Sequence, residues 1–153
     1  MNQIAALLPA SNIIVDLDVA SKAAFFASIG EVFERSAGLS PARVAASLAA
    51  REKLGSTGLG QGIAIPHGRI ARLSEAVGAF ARLRAPIAFD APDGKAVDQI
   101  FVLLVPEQAT DQHLQLLSEL AQMFSERAFR DRIAAAGDAA ALGNAFRDWR
   151  PHG

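Results

Sequence analysis

The run Ile13-Ile14-Val15-Asp16-Leu17 is short and β-branched, which predicts a strand, and the residues after it change period. Phe25, Phe26, Ile29, Val32 and Phe33 recur on one stripe of a helix that Ser21 can cap and Gly38 can stop. Ser40-Pro41 repeats the start signal, with Ser at the cap and Pro at the first helical position. Val44, Ala45, Leu48 and Arg51 then keep helical spacing until Gly55, which places Arg51 at the helix exit on its apolar side. Further on, Ile63-Ala64-Ile65, Ala76 to Leu83 and Ile100 to Val105 read as strands, the last as a continuous apolar run of the kind buried on both faces. Pro86, Pro92 and the pair Asp93-Gly94 mark turns between the last two. Thr110 or Asp111 can cap a helix whose stripe runs His113, Leu117, Leu120 and Phe124, and two more helices are expected over 126–136 and 138–147. Strands interleave with helices along the chain, so the expected fold class is α/β, built in layers. No internal repeat, low-complexity tract or linker interrupts the pattern.

Composition narrows the function classes. With 153 residues the chain fits a single domain over 1–153, able to bury roughly two thirds of the surface its unfolded form exposes. Lys and Arg number 15 against 16 Asp and Glu, a formal charge of −1, so there is no global basic field to hold nucleic acid or an acidic membrane, and anion binding has to be local. Cysteine is absent, which removes disulfides, thiolate metal sites and a cysteine nucleophile. Residues 1–10 are apolar but carry no basic leader, and no run approaches the 18 or so apolar residues of a membrane span, so the expectation is a soluble cytoplasmic protein with no membrane insertion.

The candidate chemistry lies in Gly55-Ser-Thr-Gly-Leu-Gly-Gln-Gly-Ile-Ala-Ile-Pro-His67-Gly68. Its glycines permit backbone conformations that approach an anion closely, and Pro66 fixes φ just before the imidazole. His67 reads either as an ordinary turn histidine or as a side chain displayed for reaction. Arg51 reads either as a cation that suits a helix C-terminus or as a partner for an anion. His113 reads either as a half-buried histidine bonded to backbone or as a neutral ring at the positive end of a helix, able to steady a phosphate oxygen. His152, within the last three residues, is set aside as a terminal residue.

Taken together, a guanidinium at Arg51, loop amides and hydroxyls at Ser56 and Thr57, and an imidazole at His67 are the parts that a phosphoryl group needs. Neutral imidazole, with an ordinary pKa of about 6.5, is a nucleophile near neutral pH and needs no separate base. A loose transition state leaves most of the catalysis to placement and electrostatics. Competing motifs are missing. The loop lacks the Lys-Ser/Thr of a nucleotide P-loop and the G-x-G-x-x-G dinucleotide fingerprint, and there is neither a G-x-S-x-G elbow nor an H-E-x-x-H pair. Metal ligation by His67 with His113 has no thiolate and no paired spacing behind it, so neither metal nor cofactor is expected.

The segment from Arg51-Glu-Lys-Leu through the glycine loop to Ile65-Pro66-His67-Gly68 resembles the signature of the IIA proteins of the bacterial phosphotransferase system, in their fructose/mannitol-type superfamily. The likeness extends to Leu7-Leu8, Ile14-Val15-Asp16-Leu17, Ser21-Lys22, Val105-Pro106 and His113-Leu114, and over its length the chain is most similar to the nitrogen-branch regulatory members. The resemblance implies a three-layer α/β/α domain around a mixed sheet. It implies that His67 is phosphorylated by a phosphohistidine of a small HPr-like carrier, with His113 and Arg51 lining the same site and no cofactor involved. It further implies regulatory targets, such as potassium-transport and sensor-kinase proteins, bound according to phosphorylation state. Thr57 and Ser56 are added as candidate phosphate-stabilising residues, and Leu59, Ile63 and Ile65 as a candidate apolar docking rim. Two alternatives stand beside this one: a sugar-specific fructose or mannitol IIA protein that passes phosphate to a IIB domain, and a binding module that has lost the relay chemistry.

Overall fold

Ile100 to Val105 forms the centre of a six-stranded mixed sheet, in a computed structural model that describes residues 2–108 and 110–151. In chain order the elements are α1 (Gln3–Ala6), a 3-10 turn (Ala10–Asn12), β1 (Ile13–Leu17), α2 (Lys22–Ala37), α3 (Pro41–Lys53), β2 (Gly58–Gly60), β3 (Ile63–Ala64), β4 (His67–Ile70), β5 (Val77–Ile87), β6 (Val97–Pro106), α4 (Thr110–Ser125), α5 (Arg127–Ala135) and α6 (Ala139–Asp148). The strand order is β1-β5-β6-β3-β2. β1 and β5 are parallel, β5 and β6 antiparallel, and β3 and then β4 run parallel along the same side of β6.

Alternation along β6 separates two cores. Phe101, Leu103 and Val105 face one layer with Phe80 of β5 and with Leu120, Phe124, Phe129 and Phe146, which α4, α5 and α6 supply. Ile100, Val102 and Leu104 face the other with Phe25, Ile29, Phe33, Val44 and Leu48 of α2 and α3. All six β6 side chains are fully buried. Each contributes about 2 kcal/mol by leaving water, so a one-residue slip, which exchanges the two sets, is strongly disfavoured. The result is a single-domain three-layer α/β/α fold around a mixed sheet, in keeping with the α/β class that the interleaved pattern predicts and with the three layers that the family resemblance implies.

The helix signals act as read. Ser21 and Ser40 accept the backbone N–H of Ala24 and Arg43, and Gly38 ends α2 in the left-handed conformation at φ 68°. Two expectations are corrected. β5 continues through Pro86 to Ile87, because the regular pairing with β6 lapses between Arg82 and Ile87 and a proline there forfeits no ladder hydrogen bond. α4 begins at Thr110, so Thr110 and Asp111 both lie in its first turn rather than at its cap. His152 lies outside the described residues.

Candidate active site

β3 and β4 are one interrupted strand. Ala64 pairs with Ile100 and His67 with Leu103, and across the break Leu103 N–H donates to the Pro66 carbonyl at 3.0 Å while Ile65 N–H donates to the Thr57 carbonyl at 3.0 Å. The interruption places His67 at the first position of β4, against the buried centre of the sheet. Its neighbour Gly68 lets α3 approach: a Cβ there would sit 3.2 Å from Ser47 Cβ and closer still to its hydroxyl. Arg51 follows one helical turn after Ser47 on the same face of α3 and so reaches the imidazole.

The ring is held at both nitrogens. His67 Nδ1 lies 2.9 Å from the Ile65 carbonyl, which only accepts, so Nδ1 carries the proton. Arg51 Nε donates to Nε2 at 3.2 Å, and guanidinium only donates, so Nε2 carries the lone pair. Both contacts select one neutral tautomer. Arg51 also donates from Nη1 to the Gly55 carbonyl at 2.9 Å, which braces it across the end of α3. His113, in the first turns of α4, brings its ring to 5.1 Å from that of His67, edge to face at 71°, and its buried Nε2 makes no hydrogen bond.

These groups line a cavity of about 400 Å³ together with Ser47, Leu54 and Arg69. His67 is only 9% exposed, less open than a displayed turn histidine, and it meets solvent through this cavity. Burial lowers its pKa, the Ile65 hydrogen bond opposes that, Arg51 lowers it further and Glu52 raises it, with a net fall below 6.5. His113 is lowered as well, first by burial and then by His67, Arg69 and Arg51. The site is therefore two neutral imidazoles between two guanidiniums, a setting for an anion. Among the described residues no group of three or more His, Cys, Asp or Glu converges as a metal site, and the two arginines repel a cation.

The structure brings Arg51, His67 and His113 together, and directs Ser56 and Thr57 elsewhere. Ser56 Oγ donates to the Phe89 carbonyl and accepts from Gly58 N–H. Thr57 Oγ1 donates to Glu52 at 2.6 Å, and its N–H points to the same carboxylate. The loop amides likewise do not cradle the imidazole, since Gly60, Gln61 and Gly62, all at positive φ, turn β2 back onto β3 instead. The proposed rim shifts too: Ile63 and Ile65 are core residues, whereas Leu54 (84% exposed) and Leu114 (63%) stand at the cavity mouth and beside His113, and Leu59 is partly open. Ser47 and Arg69 went unread, although Ser47 is four residues before Arg51 on a helix and Arg69 two after His67 on a strand, the spacings that share a face.

The chain matches the family described as "Phosphoenolpyruvate-dependent sugar phosphotransferase system, EIIA 2" over residues 6–148. It is similar to a nitrogen regulatory protein of Pseudomonas aeruginosa, with 53% identity over 63% of this chain and 62% of that one. It is also similar to a nitrogen regulatory protein of Klebsiella oxytoca, with 45% identity over 71% of this chain and 67% of the relative. The matched part thus spans just under two thirds of the Pseudomonas protein. Among solved structures, the nitrogen regulatory protein IIA-Ntr from Neisseria meningitidis superposes with a TM-score of 0.89 at 50% identity, covering 94% of this chain and 99% of that one.

Proposed function

The chain belongs to the EIIA 2 family of the phosphoenolpyruvate-dependent sugar phosphotransferase system, and on that premise we propose that it is a phosphocarrier of the nitrogen branch, with residues 1–153 making up one such domain. His67 Nε2 attacks the phosphorus of a phosphohistidine on an HPr-like donor protein. A new N–P bond forms as the donor N–P bond breaks, and the donor imidazole leaves with the electron pair. No nucleotide, metal or other cofactor takes part. The product regulates target proteins of the cytoplasm, potassium-transport or sensor-kinase proteins among them, according to phosphorylation state.

The observation that carries this reading is the orientation of the ring. With the proton fixed on Nδ1 by the Ile65 carbonyl, the Nε2 lone pair lies beside the guanidinium of Arg51. Attack requires Arg51 Nε–H to leave that lone pair, and the incoming phosphoryl oxygens offer it a stronger, charge-assisted partner. His113 and Arg69 stand on the remaining sides to neutralise or bond the oxygens. Leu54 and Leu114 supply exposed apolar area for the docked carrier. A similar fold and the name shared by the closely matching relatives support the nitrogen branch.

The test is transfer from a phosphorylated HPr-like donor. Wild type should take up one phosphoryl group and His67→Ala none. Transfer onward to a sugar-type IIB domain at comparable rate would move the assignment to the sugar branch, and target binding without any uptake would reduce the protein to a binding module. No helix among the described residues is long and apolar enough to cross a membrane, which fits the cytoplasmic location proposed here.

A further inference from the structure

We infer that Glu52 and Thr57 are positioning residues for the nucleophile, acting through a chain of hydrogen bonds that ends on His67 Nδ1. This rests on the reading of His67 as the phosphoryl acceptor. Glu52 follows Arg51 at the end of α3, but its side chain turns the other way and is only 6% exposed. A buried carboxylate is costly unless its oxygens are satisfied, and here they are fully engaged. Lys22 Nζ, at the start of α2, donates to Oε2 at 2.8 Å and also rests 4.6 Å from the centre of the Phe89 ring. Thr57, 5% exposed, donates its hydroxyl to Oε1 at 2.6 Å and its backbone N–H to Oε2 at 3.1 Å.

What makes this more than a structural ion pair is where Thr57 leads. Its carbonyl accepts Ile65 N–H at 3.0 Å, and the Ile65 carbonyl in turn accepts His67 Nδ1–H at 2.9 Å. Residues 65 and 66 lie in the break between β3 and β4, so the Ile65 carbonyl is free of the sheet ladder and its direction is set through the backbone torsions of Ile65, starting from the N–H that Thr57 holds. Thr57 holds it from outside the strand, and Glu52 holds Thr57 at two atoms. The tautomer of an imidazole is set by the hydrogen bond its other nitrogen makes. Fixing the Ile65 carbonyl therefore decides that Nε2, on the Arg51 side, is the nitrogen with the lone pair. The hydroxyl of Thr57 serves the phosphoryl transfer from behind the ring and never touches the phosphate.

The experiment records the ring nitrogens of His67 by long-range proton–nitrogen NMR on the uniformly labelled full chain at a pH above 7, beside the rate of phosphoryl uptake from a phosphorylated HPr-like donor. Wild type should show one tautomer, protonated at Nδ1. Thr57→Val and Glu52→Gln should show a mixture of both tautomers and take up phosphate about tenfold more slowly, the loss usual when an outer partner of a functional histidine is removed. Thr57→Ser keeps the hydroxyl and should keep the wild-type spectrum and rate. Should Thr57→Val fail to fold, Glu52→Gln, which retains an accepting oxygen for Thr57, carries the comparison. A single Nδ1–H tautomer and an unchanged rate in a folded Thr57→Val or Glu52→Gln protein overturns the inference, as does a wild-type ring protonated at Nε2. The tautomer readout needs no donor, so a wild type with the expected ring nitrogens that accepts no phosphate would sink the proposed function while leaving the positioning chain standing.

Discussion

Arg51 Nε donates to His67 Nε2 at 3.2 Å, so one of the two guanidiniums of the site occupies the one lone pair that the proposed reaction needs. The contact stores the ring in a reactive tautomer while covering its reactive atom. Arg51 gains a second anchor at the Gly55 carbonyl, which lets the head pivot without leaving the site.

That double engagement needs a planar fork. Arg51→Lys keeps the charge but cannot serve Nε2, Gly55 and a phosphoryl oxygen from one rigid group, so uptake should fall by about 10- to 100-fold. Folding should change little, about 1 kcal/mol or less, because the lost bonds lie at a partly exposed helix end. Stopped transfer assays and denaturant unfolding on the same protein check both halves. Equal, large losses in rate and stability would make Arg51 a structural cap.

The pH dependence follows from the direction of two shifts. His67 is lowered chiefly by burial and then by Arg51, His113 chiefly by burial and then by His67, Arg69 and Arg51. Phosphate uptake should therefore be flat from neutral pH down through about 6.5, with its acidic limb below the ordinary histidine value. The same depression makes the unfolded chain bind more protons than the folded one just below pH 6.5. Its contribution to stability is fully present above the unfolded value and is lost as pH falls toward the folded one. Urea unfolding of wild type and His67→Gln across pH 5 to 8 should diverge on the acidic side only, with wild type losing more.

Gly68 sets the distance between the two elements that carry Arg51 and His67. Gly68→Ala drives a methyl group into Ser47, so α3 must shift, at a cost of about 1 to 3 kcal/mol, and uptake should fall with it. Adding Ser47→Ala removes the nearest obstacle and should recover part of both losses, a coupling that a double-mutant cycle reads directly.

Leu54, which lines the cavity, and Leu114, next to His113 in the chain, are both exposed large apolar side chains. Leu54→Ser should raise KM for the donor protein about fivefold, near 1 kcal/mol, with kcat and Tm almost unchanged. A fall in Tm instead would show that the side chain packs against the fold.

Much of the architecture is legible wherever it is local. Ser21, Gly38 and Ser40 bound α2 and α3 by forming bonds with residues three or four positions away, Pro41 presets φ for the first turn of α3, and the Ile100 run declares itself buried on both faces. The three candidate residues that the structure brings together are each advertised locally, His67 by a loop, Arg51 by a helix exit and His113 by a helix start. What stayed hidden depends on pairing across the chain. β4 is four residues long and exists because it pairs with Leu103 to Pro106, and with it came the true orientation of Arg69. Ile63 looks fit for a rim but is drawn into the core by the pairing of β3 with β6, and Ile65, in the break that follows, is buried in the same core. Thr57 reads as a phosphate ligand because it offers a hydroxyl and an amide in the glycine-rich loop, whereas a buried carboxylate at Glu52 captures both. The order of strands around β6 has no local signal at all.

The most direct measurement of the central claim is phosphorus–nitrogen NMR on the nitrogen-15 protein after incubation with a phosphorylated HPr-like donor. A single phosphoryl group coupled to Nε2 of His67, lost in acid, is the result the account predicts. Phosphate on any other residue, or on Nδ1 of His67, would contradict it.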